Sequence, residues 1–347
     1  MLLWAGFLLG CGFGALARLS RFCLLRGLRQ QLGLDGGEAR GSAPALQAFA
    51  LALAVALLAA QGLQLAGLVD LGQTQVARNS FSALGMLLGG ALFGVGMVLA
   101  NSCGARALVL LAGGNLRSLV TVVFLGLGAQ ASMTGVLLPL RQWLGSLAPL
   151  TLEHATLTQS LLARDWSPAA IFTTTAVLPA ALLLAYAAWR PALRRSPWQA
   201  LAALGIGLLV ATGWWITATL EVDPFDPVKL SSLSFIGPIA ESLLYLQVSV
   251  GRAISIGPAL VAGVLCGAAV AALLSRQTRW EGFDSTRHLA ASAGGGLLMG
   301  LGGALAAGCS IGQGLSGLSS LAWASLPAVL GMLAGAWLAL RLPRQKA

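Results

Sequence analysis

From Leu289 to Leu340 the chain carries no Asp, Glu, Lys or Arg. A helix crosses the hydrocarbon core of a bilayer with about 20 apolar residues, so this run is long enough to cross twice. In lipid every backbone N–H and C=O must find a partner within protein, which leaves helices or closed barrels. The continuous apolar character selects helices. Other charge-poor runs are Met1 to Ala17 (continuing past Arg18 and Arg21), Gly41 to Val69, Asn79 to Ala105, Ser118 to Leu140, Trp166 to Trp189, Ser196 to Leu220 and Ala253 to Ser275. Nine spans are expected. Only 9% of residues are charged, against about 25% in a soluble domain, too few to cover a surface in water. The expected fold class is an all-α integral membrane protein.

The net charge of +10 is distributed as membrane topology requires, not as a nucleic-acid-binding face. Arg26, Arg29 and Arg40 follow span one; Arg106 and Arg117 span three; Arg190, Arg194 and Arg195 span five. Arg276, Arg279 and Arg287 follow span seven, and Arg341, Arg344 and Lys346 span nine. Loops after even spans hold fewer: Arg78, then Arg141 and Arg164, then Lys229 and Arg252. This predicts a periplasmic N-terminus and a cytoplasmic C-terminus. The longer exterior segments lie around Leu150 and Phe225, and Ser231 to Tyr245 is expected to lie in the membrane or dip into it. The apolar N-terminus lacks a basic region before it and reads as a first span, not a removable leader.

Segments 89–103 (GGALFGVGMVLANSC) and 295–309 (GGLLMGLGGALAAGC) match at eight of fifteen positions, including Cys103 with Cys309. They fall in spans three and eight, which cross in opposite directions. An inverted-topology repeat follows, with units of about 1–140 and 166–341 in one polytopic domain and a site where the units meet. After each of these cysteines come Gly, Ser or Asn in apolar surroundings, which predicts broken helices. Broken backbone is tolerated at membrane depth only where protein buries it or a cavity wets it, and a helix N-terminus aimed inward favours an anion.

Three motifs now stand out: Arg18-Leu-Ser-Arg21-Phe22-Cys23, Asn101-Ser-Cys103-Gly-Ala-Arg106 and Gly308-Cys309-Ser-Ile-Gly312-Gln-Gly314-Leu315. Together, in this order and over nearly the whole chain, they resemble the YeeE/YedE family of inner-membrane sulfur transporters. The resemblance implies bacterial uptake of thiosulfate through an hourglass formed by loops dipping from both sides. It implies that Cys23, Cys103 and Cys309 pass the anion along by thiol hydrogen bonds, and it hints at a small cytoplasmic sulfur-carrier protein as partner. Some family members are linked to selenium metabolism, which leaves substrate choice open.

Thiosulfate is a dianion with a soft terminal sulfur and three hard oxygens. Neutral thiols are weak donors and polarizable partners, able to hold it without gripping it, and conduction needs binding that also releases. Arg21 and Arg106 are expected as helpers near an entrance or a helix end. Asn101 and Gln313 either line the path or cap broken helices. Cys11 and Cys266, in uninterrupted Gly-rich helix, read as packing residues. Glu241 is a functional carboxylate if within the membrane and a surface charge if wet. His154 and His288 read as interfacial. No His, Cys and Asp cluster has zinc spacing, no GxxxxGK[ST] loop is present, and GFGALA at 12–17 lies in a membrane helix, so neither metal nor cofactor is expected. The alternatives to transport are a sulfur relay that forms a Cys persulfide, for which Arg21 or Arg106 would lower a thiol pKa, and a scaffold subunit.

Overall fold

The computed structural model describes residues 1–35, 43–189, 191–220, 230–251, 253–276, 278, 280–282 and 285–342. Expectations at Arg40, Arg190, Phe225, Lys229, Arg252, Arg279, Arg344 and Lys346 fall outside them. The chain is almost wholly helical: α1 (Leu2–Ser20), α2 (Leu24–Gln31), α3 (Pro44–Leu65), α4 (Ala83–Ala100), α5 (Gly104–Leu111), α6 (Leu116–Met133), α7 (Leu138–Gly145), α8 (Leu157–Leu162), α9 (Pro168–Phe172), α10 (Leu178–Trp189), α11 (Pro191–Arg194), α12 (Pro197–Thr219), α13 (Ile236–Gln247), α14 (Ile256–Leu274), α15 (Thr286–Leu305) and α16 (Ser325–Arg341). A π-helical turn over Thr173–Val177 joins α9 to α10. One small ribbon pairs β1 (Ser80–Ser82) antiparallel with β2 (Pro149–Thr151), with Phe81 opposite Leu150.

Among the described residues, eight segments are long and apolar enough to cross a membrane, and α16 is a shorter apolar helix. These nine correspond to the nine expected spans, with two of them in the run from Leu289 to Leu340. Their outer faces carry exposed Leu and Trp such as Leu182, Trp189, Leu208 and Leu330, while Phe13, Phe93, Met97, Leu125, Trp214 and Phe235 fill the interior. An apolar exterior of this extent is what a lipid solvent permits and water does not.

Small residues set which helices touch, because van der Waals packing between close backbones drives association in lipid. A methyl group added at Gly89 would lie 2.7 Å from the Ala306 nitrogen and 2.8 Å from the Gly302 oxygen; one at Gly96 would lie 2.7 Å from the Gly295 oxygen. The partner number falls as the α4 number rises, so α4 and α15 cross antiparallel. Gly90 and Gly94 back onto Ala328 and Met332 of α16, running parallel, and Gly296 and Gly300 back onto Thr121 and Leu125 of α6, also parallel. Between α1 and α12, Gly12 meets Leu209 and Gly205 meets Leu16. The segment preceding α13 does enter the protein: Leu233 and Phe235 are buried at its centre.

Candidate functional site

Three helices stop in the same way. α1, α4 and α15 are followed by a residue in the left-handed region, Arg21 (φ 53°), Asn101 (φ 58°) and Ala307 (φ 54°). This conformation is unfavourable for residues other than Gly. In each case a cysteine follows two residues later. Cys23 and Cys103, both extended, are the N-caps of α2 and α5. Cys309 opens a turn that leads into a π-helical segment, Gly312–Gly317. All three thiols are buried. Cys23 and Cys103 line one cavity, and Cys309 Sγ accepts the Gly312 N–H at 3.3 Å.

Two vestibules approach these breaks. The first, of about 490 Å³, is lined by Arg18, Arg21, Arg106 and Arg276, by Cys23 and Cys103, and by Ser310. Its one carboxylate among the described residues, Glu281, accepts a hydrogen bond from Asn115 Nδ2. The second, of about 320 Å³, is lined by Arg78 and Arg141, by Ser231, Ser232 and Ser234, and by Glu241. Glu241 Oε2 accepts from Ser255 Oγ at 3.0 Å. Desolvation of the partly enclosed Arg78 guanidinium, and then the neighbouring Arg141 charge, lower the Arg78 pKa from its ordinary value. Arginine titrates so high that it stays cationic at neutral pH.

The two vestibules meet the chain on either side of Cys309, which marks the waist between them. Gly308 lines the second and Ser310 the first, with Cys309 between them. Phe13 of the first vestibule packs against the buried Phe235, ring centroids 4.9 Å apart. Phe235 in turn lies between Ser234 and Ile236 of the second. Among the described residues each vestibule holds more Arg than carboxylate, and the first is lined by the thiols of Cys23 and Cys103.

The residues singled out in the sequence take different places. Cys23, Cys103, Arg21 and Arg106 line the first vestibule. Asn101 lies exposed at the turn after α4, where its Oδ1 accepts from Arg29 Nη1. Gln313 is buried and its amide is committed to the break after α15: Nε2 donates to Ala306 O at 2.8 Å and Ala307 O at 3.2 Å, and Oε1 accepts from Ser325 Oγ at 2.6 Å. Cys11 and Cys266 sit within α1 and α14, facing a shallow outer groove of apolar residues. Phe13 and Phe235 carry no signal in the sequence, Ser310 appears there only within a motif, and Arg78, Arg141 and Arg276 only as topology charges. The serine run 231–234 inside an apolar neighbourhood was the signal for the second vestibule.

A family model described as sulphur transport matches residues 19–338, a stretch that contains all three cysteine breaks. The chain belongs to this sulphur transport family. It is similar to the thiosulfate transporter TsuA of Spirochaeta thermophila, 26% identical over 349 residues with 97% of each chain covered. It is also similar to the thiosulfate transporter TsuA of Escherichia coli, 25% identical over 357 residues, covering 96% of this chain and 93% of the relative. The family match contains all three cysteines and the described vestibule residues except Phe13, Ala17 and Arg18.

Proposed function

We propose that this protein takes up thiosulfate across the bacterial inner membrane. The observation that carries the reading is the placement of three buried cysteines, each at a helix break, beside two Arg-bearing vestibules. The names of its relatives support the substrate. The four Arg of the first vestibule stand at the ends of spans one, three and seven, so the positive-inside bias makes that vestibule cytoplasmic. The second is then the periplasmic entrance, the N-terminus is periplasmic and the C-terminus cytoplasmic.

In this mechanism the anion enters past Arg78 and Arg141, meets Cys309 at the waist, and leaves between Cys23 and Cys103 toward Arg21 and Arg106. The thiols donate hydrogen bonds and the protein performs no chemistry. Gln313 and Asn101 hold the breaks in shape instead of touching substrate. The reciprocal glycine contacts favour two inverted units, with α1 equivalent to α12 and α4 to α15. On that reading the second unit begins near residue 197 and the helix over 168–189 stands outside the repeat. A small sulfur-carrier protein at the cytoplasmic mouth would draw flow inward.

Purified protein in proteoliposomes should accumulate labelled thiosulfate, with sulfate and selenite as weaker competitors. Vesicles no more permeable to thiosulfate than empty ones would refute transport. The Cys23 and Cys103 thiols, lining one cavity, also suit the sulfur-relay alternative: a thiolate attacks the outer sulfur, the S–S bond breaks, sulfite leaves with the bonding pair, and a persulfide remains. Mass spectrometry after thiosulfate exposure separates the two, because the transport reading requires unmodified cysteines.

A further inference from the structure

The segment after Cys309 is rich in buried hydroxyls, and nearly all have partners. Ser316 donates to Leu233 O at 2.8 Å, Ser319 to Ser316 O at 2.8 Å, Ser320 to Gly317 O at 2.9 Å, and Ser325 to Gln313 Oε1 at 2.6 Å. Ser310 differs. The residue is 1% exposed, and its Oγ has no hydrogen-bond partner. It lines the first vestibule at the waist, with Cys23 and Cys103 on the same wall. A second buried donor without a partner, Arg106 Nη1, belongs to a residue lining the same cavity.

A buried hydroxyl left unpaired costs stability, and the great majority in folded proteins are satisfied. The residue that follows Cys103 in the matching segment is Gly104, so only one of the two cysteines is followed by a hydroxyl. Two buried donors without protein partners thus line one cavity with two thiols. A sulfur oxyanion supplies what each group lacks: oxygens for the hydroxyl and the guanidinium, a polarizable sulfur for the thiols.

We propose that Ser310 is a substrate-contacting residue, its hydroxyl donating to an oxygen of the translocated oxyanion while the cysteines face the sulfur. The inference rests on the thiosulfate reading for its substrate and on the orphaned donors for its site. Removing the hydroxyl should weaken substrate capture without weakening the fold, because the folded protein gains nothing from it.

Ser310→Ala and wild type are compared in proteoliposomes with labelled thiosulfate, and their melting temperatures in detergent are measured. The expected result is a KM raised about tenfold or more, with a melting temperature unchanged or higher. An unchanged KM overturns the proposal, and so does a raised KM with a lower melting temperature, which would make the hydroxyl structural. If wild type carries no thiosulfate, the functional reading fails separately. The comparison is then made by binding of labelled sulfite, sulfate and selenate to both proteins. Equal binding of every oxyanion by the two would overturn the Ser310 assignment, and weaker binding by the Ala variant would sustain it.

Discussion

The breaks after α4 and after α15 use one backbone device and secure it in two ways. Both place a left-handed residue two positions before a buried cysteine. After α4 the chain re-enters helix at once as α5, and the turn is clamped from outside by Arg29 on the exposed Asn101. After α15 the turn lies deeper, and Gln313 ties it from within to Ala306, Ala307 and Ser325. Water can replace a clamp at the surface but not one in the interior. Equal geometry therefore comes with unequal sensitivity to mutation.

The largest effects should fall where the two sides are most alike. A side chain at Gly94 would collide with the Met332 carbonyl, and one at Gly300 with the Leu125 carbonyl. Both obstacles are backbone. Gly94→Leu and Gly300→Leu should each abolish folded protein in the membrane, read by size-exclusion profile after extraction. Loss in one and normal folding in the other would break the equivalence of α4 with α15.

Next come the thiols. Cys103→Ala and Cys309→Ala should each reduce thiosulfate uptake roughly tenfold to a hundredfold. A hydrogen bond to a charged group is worth about 1.5–3 kcal/mol, and about 1.4 kcal/mol is a factor of ten in rate. Cys11→Ala and Cys266→Ala should leave uptake unchanged. Normal transport by both of the first pair would remove the cysteines from the path.

The clamps separate the two breaks. Gln313→Ala leaves buried carbonyls and Ser325 without their partner and should lower stability by roughly 1–3 kcal/mol, seen as a lower melting temperature. Asn101→Ala, at an exposed turn, should lower it much less. The reverse order would show that the outer clamp carries the break. The smallest effect is expected at the entrance: Arg78→Gln with Arg141→Gln should raise the KM a few-fold and flatten its dependence on salt, as lost electrostatic steering does. A salt dependence as steep as wild type would place the entrance elsewhere.

Much was legible without coordinates. Charge-free runs such as Leu289 to Leu340 fix the membrane spans, because lipid leaves the backbone no partner but itself. The matched Gly positions of 89–103 and 295–309 announce close helix contact, and Gly, Ser and Asn around the cysteines announce breaks. These are local signals, written in a few consecutive residues. The sequence left two readings open for Gln313 and Asn101, and only their hydrogen-bond partners separate a staple from a lining residue. Nor did it contain the pairing of Phe13 with Phe235 or the isolation of the Ser310 hydroxyl. Each of these depends on segments more than two hundred residues apart in the chain being brought into contact. Composition dictates that a helix crosses the membrane; which side chains then face a cavity, and which find a partner, is decided by the crossing of helices that no local pattern records.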